Sequence, residues 1–269
     1  MAVYIITHKA FNKLSEKGYK TLLVGANKGH IFGDCFDDEG DNISEKNKYY
    51  CELTGLYWIW KNVKDDYIGI VHYRRYFSRS LKKTKLLSEE EIKHKLRKYD
   101  IILPNRVNLF QPVEKQFSKM YVSDPNILKL IRESVFEKSP EYIKYYDDVM
   151  SGWDVYFCNM MICSKELFDN YCEWLFSILF VLECKVDMTM YDNYQKRLFG
   201  FVSERLLKVW VEKNNLSVCE LGMVNIEKSD GVKKDFLKAL RRVYSYYFSE
   251  NKLMRLIIDR VRESMITKS

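Results

Sequence analysis

The sequence predicts an α/β fold: a Rossmann-type mixed sheet flanked by helices, with a helical tail at its carboxyl end. Three observations point there. Short β-branched, apolar runs recur along the chain and read as buried strands. Segments with helical apolar spacing separate them. Charged side chains gather where strands end, which is where an open α/β sheet binds its ligand. The stretch Asp38–Phe77 holds all three, as an acidic loop, an amphipathic helix, a short strand and a basic turn.

Ala2–Thr7 (AVYIIT) reads as the first strand, and His8 and Lys9 at its carboxyl end are candidates for ligand contact. Lys20–Val24 is a second strand. The Gly-, Asp- and Asn-rich region Gly25–Asp41 is a loop. Its acids do not have the spacing of an EF-hand. Asp34 and Asp37 are expected to be solvated, whereas Asp38, Asp41 and Asn42 are candidate donor-binding residues. Ser44 is expected to cap the next helix. Tyr49, Leu53, Leu56, Tyr57 and Trp60 form one apolar face of that helix. Glu52 does not fit such a face. Asn62, Asp65 and Asp66 end it.

Tyr67–Val71 (YIGIV) is a short strand whose glycine marks close approach of a neighbour. His72, Tyr73, Arg74 and Arg75 follow. If the strand continued, His72 and Arg74 would face one side and Arg75 the other. Guanidinium forks match phosphate oxygens, so this turn is suited to gripping a diphosphate.

Leu87–Lys98 is a charged helix capped by Ser88, and Tyr99–Leu103 is a strand stopped by Pro104. Asn105–Met120 is expected to be an irregular crossing, with short helices over Asp124–Glu133 and Pro140–Met150. Trp153–Ile162 reads as one buried strand. Asp154 and Asn159 interrupt it with polar groups that need partners, which makes both site candidates. Ser164 caps a long helix through Leu182. The next helix carries Arg197, Gly200, Glu204 and Arg205 at spacings that place them on related faces. The adjacent Glu204 and Arg205 are not expected to pair with each other. Leu216–Leu221 is a final edge strand.

The 269 residues carry a net charge of +7. From Gly231 to Ser269 there are ten Lys/Arg against four acids, so the tail holds most of the excess. This divides the chain into a body, 1–225, and a basic amphipathic tail, 226–269. The tail is suited to an anionic membrane surface, or to docking on the body. Seven cysteines, an odd number with none in a C-x-x-C pair, indicate neither a disulfide scaffold nor a zinc site, and reduced thiols are the expectation. The amino-terminal MAVYIITHKAF does not have the pattern of a signal peptide. Trp174–Leu182 is too short to span a bilayer. A cytoplasmic protein with peripheral contact to the inner face of the membrane through 231–269 is the expectation. No nucleic-acid motif appears, so nucleic acid is not an expected partner. Twenty tyrosines suit stacking on sugars as well as a core.

Five blocks, GDNISEKN, CELTGLYWIWKN, IGIVHYRRYF, NMMICSKELFDNYCEWLF and RLFGFVSERLL, occur in order between Gly40 and Leu207. Together they resemble a bacterial family of capsular and exopolysaccharide glycosyltransferases, over roughly Ala2 to Leu221. The resemblance implies a GT-A-like enzyme that moves a sugar from a UDP-sugar to a growing, lipid-linked polysaccharide repeat unit. UDP-galactofuranose is one donor it suggests. Enzymes of this type usually hold a divalent metal, Mn or Mg, with Asp-x-Asp at the end of a central strand. Here His72-Tyr73-Arg74-Arg75 stands in that place. No metal ligand is assigned, and cationic side chains are expected to stabilise the departing diphosphate. The donor-binding candidates are therefore His8, Lys9, Asp38, Asp41, Asn42, His72, Arg74, Arg75, Asn159, Arg197 and Arg205. An inverting transfer needs a carboxylate base, for which Asp154 and Glu204 are the candidates. The competing expectation is a non-catalytic, membrane-docked scaffold or a polyanion-binding module.

Overall fold

A computed structural model of the protein describes residues 1–13, 16–78, 86–121 and 124–226. The expected tail lies outside the described residues from position 227 onward. The strands are β1 (Ala2–Thr7), β2 (Tyr19–Leu23), β3 (Cys35–Phe36), β4 (Tyr67–His72), β5 (Arg75–Phe77), β6 (Ile101–Pro104), β7 (Val107–Asn108), β8 (Asp154–Val155), β9 (Met161–Ser164), β10 (Val218–Leu221) and β11 (Met223–Asn225). The helices are α1 (Asn47–Tyr50), α2 (Leu53–Asn62), α3 (Glu89–Leu96), α4 (Val113–Met120), α5 (Ile127–Lys138), α6 (Ile143–Ser151), α7 (Lys165–Lys185) and α8 (Leu198–Lys213).

One sheet runs in the order β10-β6-β9-β4-β1-β2-β3, with β5 antiparallel to β4 and β11 antiparallel to β5. Strands β1 to β4 are parallel, as are β6 and β10. Only β9 reverses within this order, antiparallel to both β4 and β6. The carboxyl ends of β1, β2, β4, β6 and β10 therefore meet at one edge of the sheet, joined there by the chain entering β9. This edge holds the cavity described below. Strands β7 and β8 form a separate ribbon.

Alternation along the strands feeds two cores. Tyr4, Ile6, Ile68, Ile70, Ile101 and Leu103 face the larger core with α2, α7 and α8. Val3, Ile5, Val71 and Ile102 face the smaller one with α3. All six residues of β1 are buried, as expected of a strand covered on both faces. Gly69 lies opposite Val3 in the sheet, and a Cβ there would stand 2.8 Å from Val3 Cγ2. Gly55 lets α2 settle on the sheet, since a Cβ would meet Val24 Cγ1 at 2.9 Å.

Several boundaries differ from those read in the sequence. The expected single helix after Ser44 is broken: α1 ends at Tyr50, Cys51 takes a φ of +53°, and α2 starts at Leu53. Ser44 does not cap it but lies in a 3₁₀ turn and donates through Oγ to Asp37 at 2.6 Å. The run Trp153–Ile162 is not one strand. It turns between β8 and β9, with Cys158 at φ +81° and Asn159 at φ +46°. The crossing after Asn105 contains the ribbon strand β7 and the helix α4. Ser88 and Ser164 cap α3 and α7 as expected, Ser88 in a full capping box with Glu91.

Asp37 is buried rather than solvated. Its carboxylate accepts from the backbone N–H groups of Gly25 (3.0 Å) and Ala26 (2.9 Å) and from Ser44. It thereby ties the turn after β2 to the approach to α1. Asp37→Ala leaves these donors unsatisfied, and each lost bond to a charged group costs about 1.5–3 kcal/mol. The variant is expected to lose roughly 3 kcal/mol in urea unfolding, and Asp37→Asn clearly less.

Candidate active site

At the carboxyl edge of the sheet lies a cavity of about 530 Å³. Each wall comes from a different connection. Thr7 ends β1 and His8 follows it, Val24 follows β2, and His72 to Arg75 form the turn from β4 into β5. Asn47, Lys48, Cys51 and Glu52 come from the break between α1 and α2. Cys158 precedes β9, Asn193 and Arg197 precede α8, and Glu204 lies on α8.

The strand ends at His72 and does not continue through the arginines. Tyr73 and Arg74 turn the chain, and Arg75 pairs back across from His72. This is why His72, Arg74 and Arg75 all line the cavity, instead of dividing between two faces. The Tyr73 ring organises the basic group. His8 packs edge-on against it at 5.4 Å, while Lys9 Nζ and the Arg74 guanidinium lie 5.0 and 5.5 Å from its centroid. Lys9 thus stands beside the cavity rather than in its lining.

The backbone of Cys158 links opposite walls. Its carbonyl accepts from His72 Nε2–H, and its N–H donates to Glu204 Oε1 at 2.7 Å. A carbonyl can only accept, so the His72 proton is on Nε2. Burial pushes the His72 imidazole below its usual range and keeps it neutral. Glu204 Oε2 accepts from Arg205 at 2.9 Å, so the adjacent residues do pair. The long guanidinium reaches back along α8 to the Phe201 carbonyl and across to Gln116 Oε1, both at 2.8 Å. It lies against the rings of Phe117 and Phe157. Burial pushes the Glu204 carboxyl up to about 7, against the opposing pull of Arg205 and the Cys158 N–H.

The fully buried Asn159 anchors a second carboxylate. It donates to Glu52 Oε1 at 2.8 Å and to the Gly200 carbonyl at 3.2 Å, and it accepts from Ser203 Oγ at 3.0 Å. Arg197 borders the same region, with its Nε 3.4 Å from Cys51 Sγ and its guanidinium over Phe201. Cys51, Cys158 and Asn159 are three of the five non-glycine residues with positive φ among the described residues. Such conformations cost about 1 kcal/mol or more and concentrate at functional sites.

The structure thus brings His8, His72, Arg74, Arg75, Arg197 and Glu204 together at the cavity. Asn159 and Arg205 stand behind its wall as supports for Glu52 and Glu204. Asp38, Asp41 and Asn42 do not reach it. Asp38 pairs with His30 at 2.7 Å, Asp41 accepts from Tyr57 at 3.2 Å, and Asn42 braces the Gly40 turn and the Ser44 N–H. Asp154 is also outside the lining, between Arg106 (3.4 Å) and Lys208 (3.5 Å). Both contacts fall on Oδ2, and each cation has a closer partner at 2.6 Å, Glu220 for Arg106 and Glu212 for Lys208. Glu52, Lys48, Cys51 and Cys158 are lining residues that sequence reading does not select. Glu52 alone gave a signal, as a charge on an apolar helix face.

A divalent metal of the Asp-x-Asp type does not fit this residue set. The strand end presents cations, and among the described residues no group of three or more His, Cys, Asp or Glu side chains converges as a metal site. No step is assigned to a metal.

The high affinity of Glu204 for its proton has a consequence for stability. The folded state binds that proton up to about pH 7, the unfolded chain only to about 4.5. Stability therefore falls as pH rises through this window. Urea unfolding at a series of pH values is expected to show that decline, flattened in Glu204→Gln.

Among solved structures, the chain is similar to one described as the apo structure of WbbM, a bifunctional glycosyltransferase. The two are 31% identical with a TM-score of 0.77, over 84% of this chain and 45% of the other. The chain thus spans less than half of that protein's length. The mixed sheet flanked by helices has the GT-A-like arrangement expected from the sequence. No curated protein matches the chain. Residues 2–215 match the family described as a domain of unknown function, DUF4422, and this chain belongs to that family.

Proposed function

We propose that this protein is a glycosyltransferase that moves a hexose from a UDP-sugar, with galactofuranose the first sugar to test, to a growing capsular or exopolysaccharide repeat unit. The observation that carries the reading is the cationic turn Arg74-Arg75, set at the carboxyl end of a central strand in a cavity that also holds two carboxylates, Glu52 and Glu204. The likeness to a bifunctional glycosyltransferase supports it.

In this reading the diphosphate lies against Arg74 and Arg75, with the nucleoside toward the ends of β1 and β2 near His8 and Val24. The sugar then points toward Glu52 and Glu204. Negative charge grows on the leaving phosphate as the glycosidic bond breaks. Fixed guanidinium groups interact more strongly with that charge in the transition state than in the ground state, which is the condition for catalysis. The acceptor approaches from the side of Arg197 and α8.

A lipid-linked acceptor would bring the protein to the membrane. The described chain ends beside the cavity, where the Ile226 N–H donates to the Arg74 carbonyl at 3.0 Å. The sequence that follows is the basic stretch 231–269. No described helix is long and apolar enough to cross a membrane.

Calorimetric titration with UDP tests the reading. Binding is expected to persist in the presence of a chelator. Arg74→Ala is expected to weaken it by about 10- to 100-fold, corresponding to one or two charge-assisted bonds, with the fold retained. Binding that requires manganese would contradict the cationic site. Absence of UDP binding by the wild type would contradict the proposed donor class.

A further inference from the structure

We propose that Glu52 takes the proton from the acceptor hydroxyl, and that Asn159 is the positioning residue that aims it. The inference deepens the glycosyl-transfer reading and rests on it. Three carboxylates stand near enough to the sheet edge to be compared: Asp154, Glu204 and Glu52. Asp154 is outside the cavity lining and held between Arg106 and Lys208. Glu204 lines the cavity, but each of its oxygens is already engaged, one by the Cys158 N–H and the other by Arg205. Glu52 lines the cavity with only Oε1 engaged. Its Oε2 takes no hydrogen bond from the described residues.

The support behind Glu52 is fully specified. The Glu52 carboxylate and the Gly200 carbonyl accept and do not donate, so the amide nitrogen of Asn159 is the atom that faces them, and its Oδ1 lies 3.0 Å from Ser203 Oγ, whose one hydrogen it shares with the Gly200 carbonyl at 2.8 Å. Both hydrogens of that nitrogen are used. A donor fixed on Oε1 keeps that oxygen an acceptor and leaves Oε2 as the place for an incoming proton. Two donated bonds from one buried amide nitrogen hold Asn159 and Glu52 in one relative geometry. The break at Cys51 adds to this, because it ends α1 and restarts the helix with Glu52 at the boundary of α2. A continuous helix would have carried Glu52 round with the apolar face.

The step balances without a co-reactant. The acceptor oxygen forms a bond to the anomeric carbon. The bond from that carbon to the β-phosphate oxygen breaks, and its electron pair leaves with UDP beside Arg74 and Arg75. The hydroxyl proton passes to Glu52 Oε2 and then to water. Nothing is oxidised or reduced, and the configuration at the anomeric carbon inverts.

The test uses the full chain with UDP-galactofuranose and a panel of other UDP-hexoses, with water or sodium azide as acceptor, and UDP affinity measured in parallel. Glu52→Ala and Glu52→Gln are expected to bind UDP as the wild type does. Their nucleotide release to water should fall by about 10²- to 10⁴-fold, the usual range for losing a general base. Azide reaches the sugar without a proton to lose, so it should restore turnover in Glu52→Ala and yield a glycosyl azide of inverted configuration. Asn159→Ala should lower kcat with UDP affinity unchanged, and azide should restore it. A merely structural role would weaken UDP binding instead. Wild-type release by Glu52→Gln, or azide rescue of Glu204→Ala in place of Glu52→Ala, would overturn the assignment. UDP binding by the wild type with no nucleotide release from any sugar in the panel would overturn it too, whereas failure to bind UDP would remove the reading beneath it.

Discussion

The backbone of Cys158 is the joint on which the site depends. Its carbonyl accepts a hydrogen bond from His72 at the end of β4, and its N–H donates to Glu204 on α8. It adopts a left-handed conformation to do both. The reason lies in the sheet. All strands of the main order run one way except β9, so the chain must reach the crowded carboxyl edge and turn there before it can enter β9 antiparallel to its neighbours. That turn delivers Cys158 and Asn159 between β4 on one side and α8 on the other. The reversed strand thus supplies the link that lets groups distant in sequence share one cavity.

The charge pattern of the cavity follows from the same edge. A strand end followed by Arg74 and Arg75 sets cations where a metal-binding enzyme of similar shape would set carboxylates. The carboxylates come instead from helices, Glu52 from the break before α2 and Glu204 from α8. Each is held by a partner that fixes its orientation, Asn159 for one and Arg205 with the Cys158 peptide for the other. Opposite charges are thereby carried on different elements. An arrangement of this kind can grip an anionic leaving group on one wall and handle a proton on another.

Much of this was legible in the sequence, and the parts that were not have physical causes. Strand and helix order follow from apolar periodicity, and His8, His72, Arg74 and Arg75 follow from the rule that strand ends bind ligands. Periodicity does not register a break when apolar spacing continues across it, so α1 and α2 read as one helix over Cys51. The same holds for Trp153–Ile162, where an apolar run without Gly or Pro concealed the turn at Cys158–Asn159. Residue type alone could not sort neighbouring acids either. Asp37 is buried by three donors from two segments, while Asp38 beside it pairs with His30. Asp154 read as a buried polar group in need of a partner, and its partners proved to be Arg106 and Lys208. Pro112, directly before α4, was a usable start signal in the stretch read as irregular.

Hydrogen–deuterium exchange with and without UDP tests the central claim, that the cationic strand end and the turn before β9 form one nucleotide-sugar site. The account predicts added protection in peptides covering His72–Tyr76 and Cys158–Met160, with little change around Asp38–Asn42. Protection confined to the acidic loop, or absent from the His72–Tyr76 turn while UDP is bound, would contradict it.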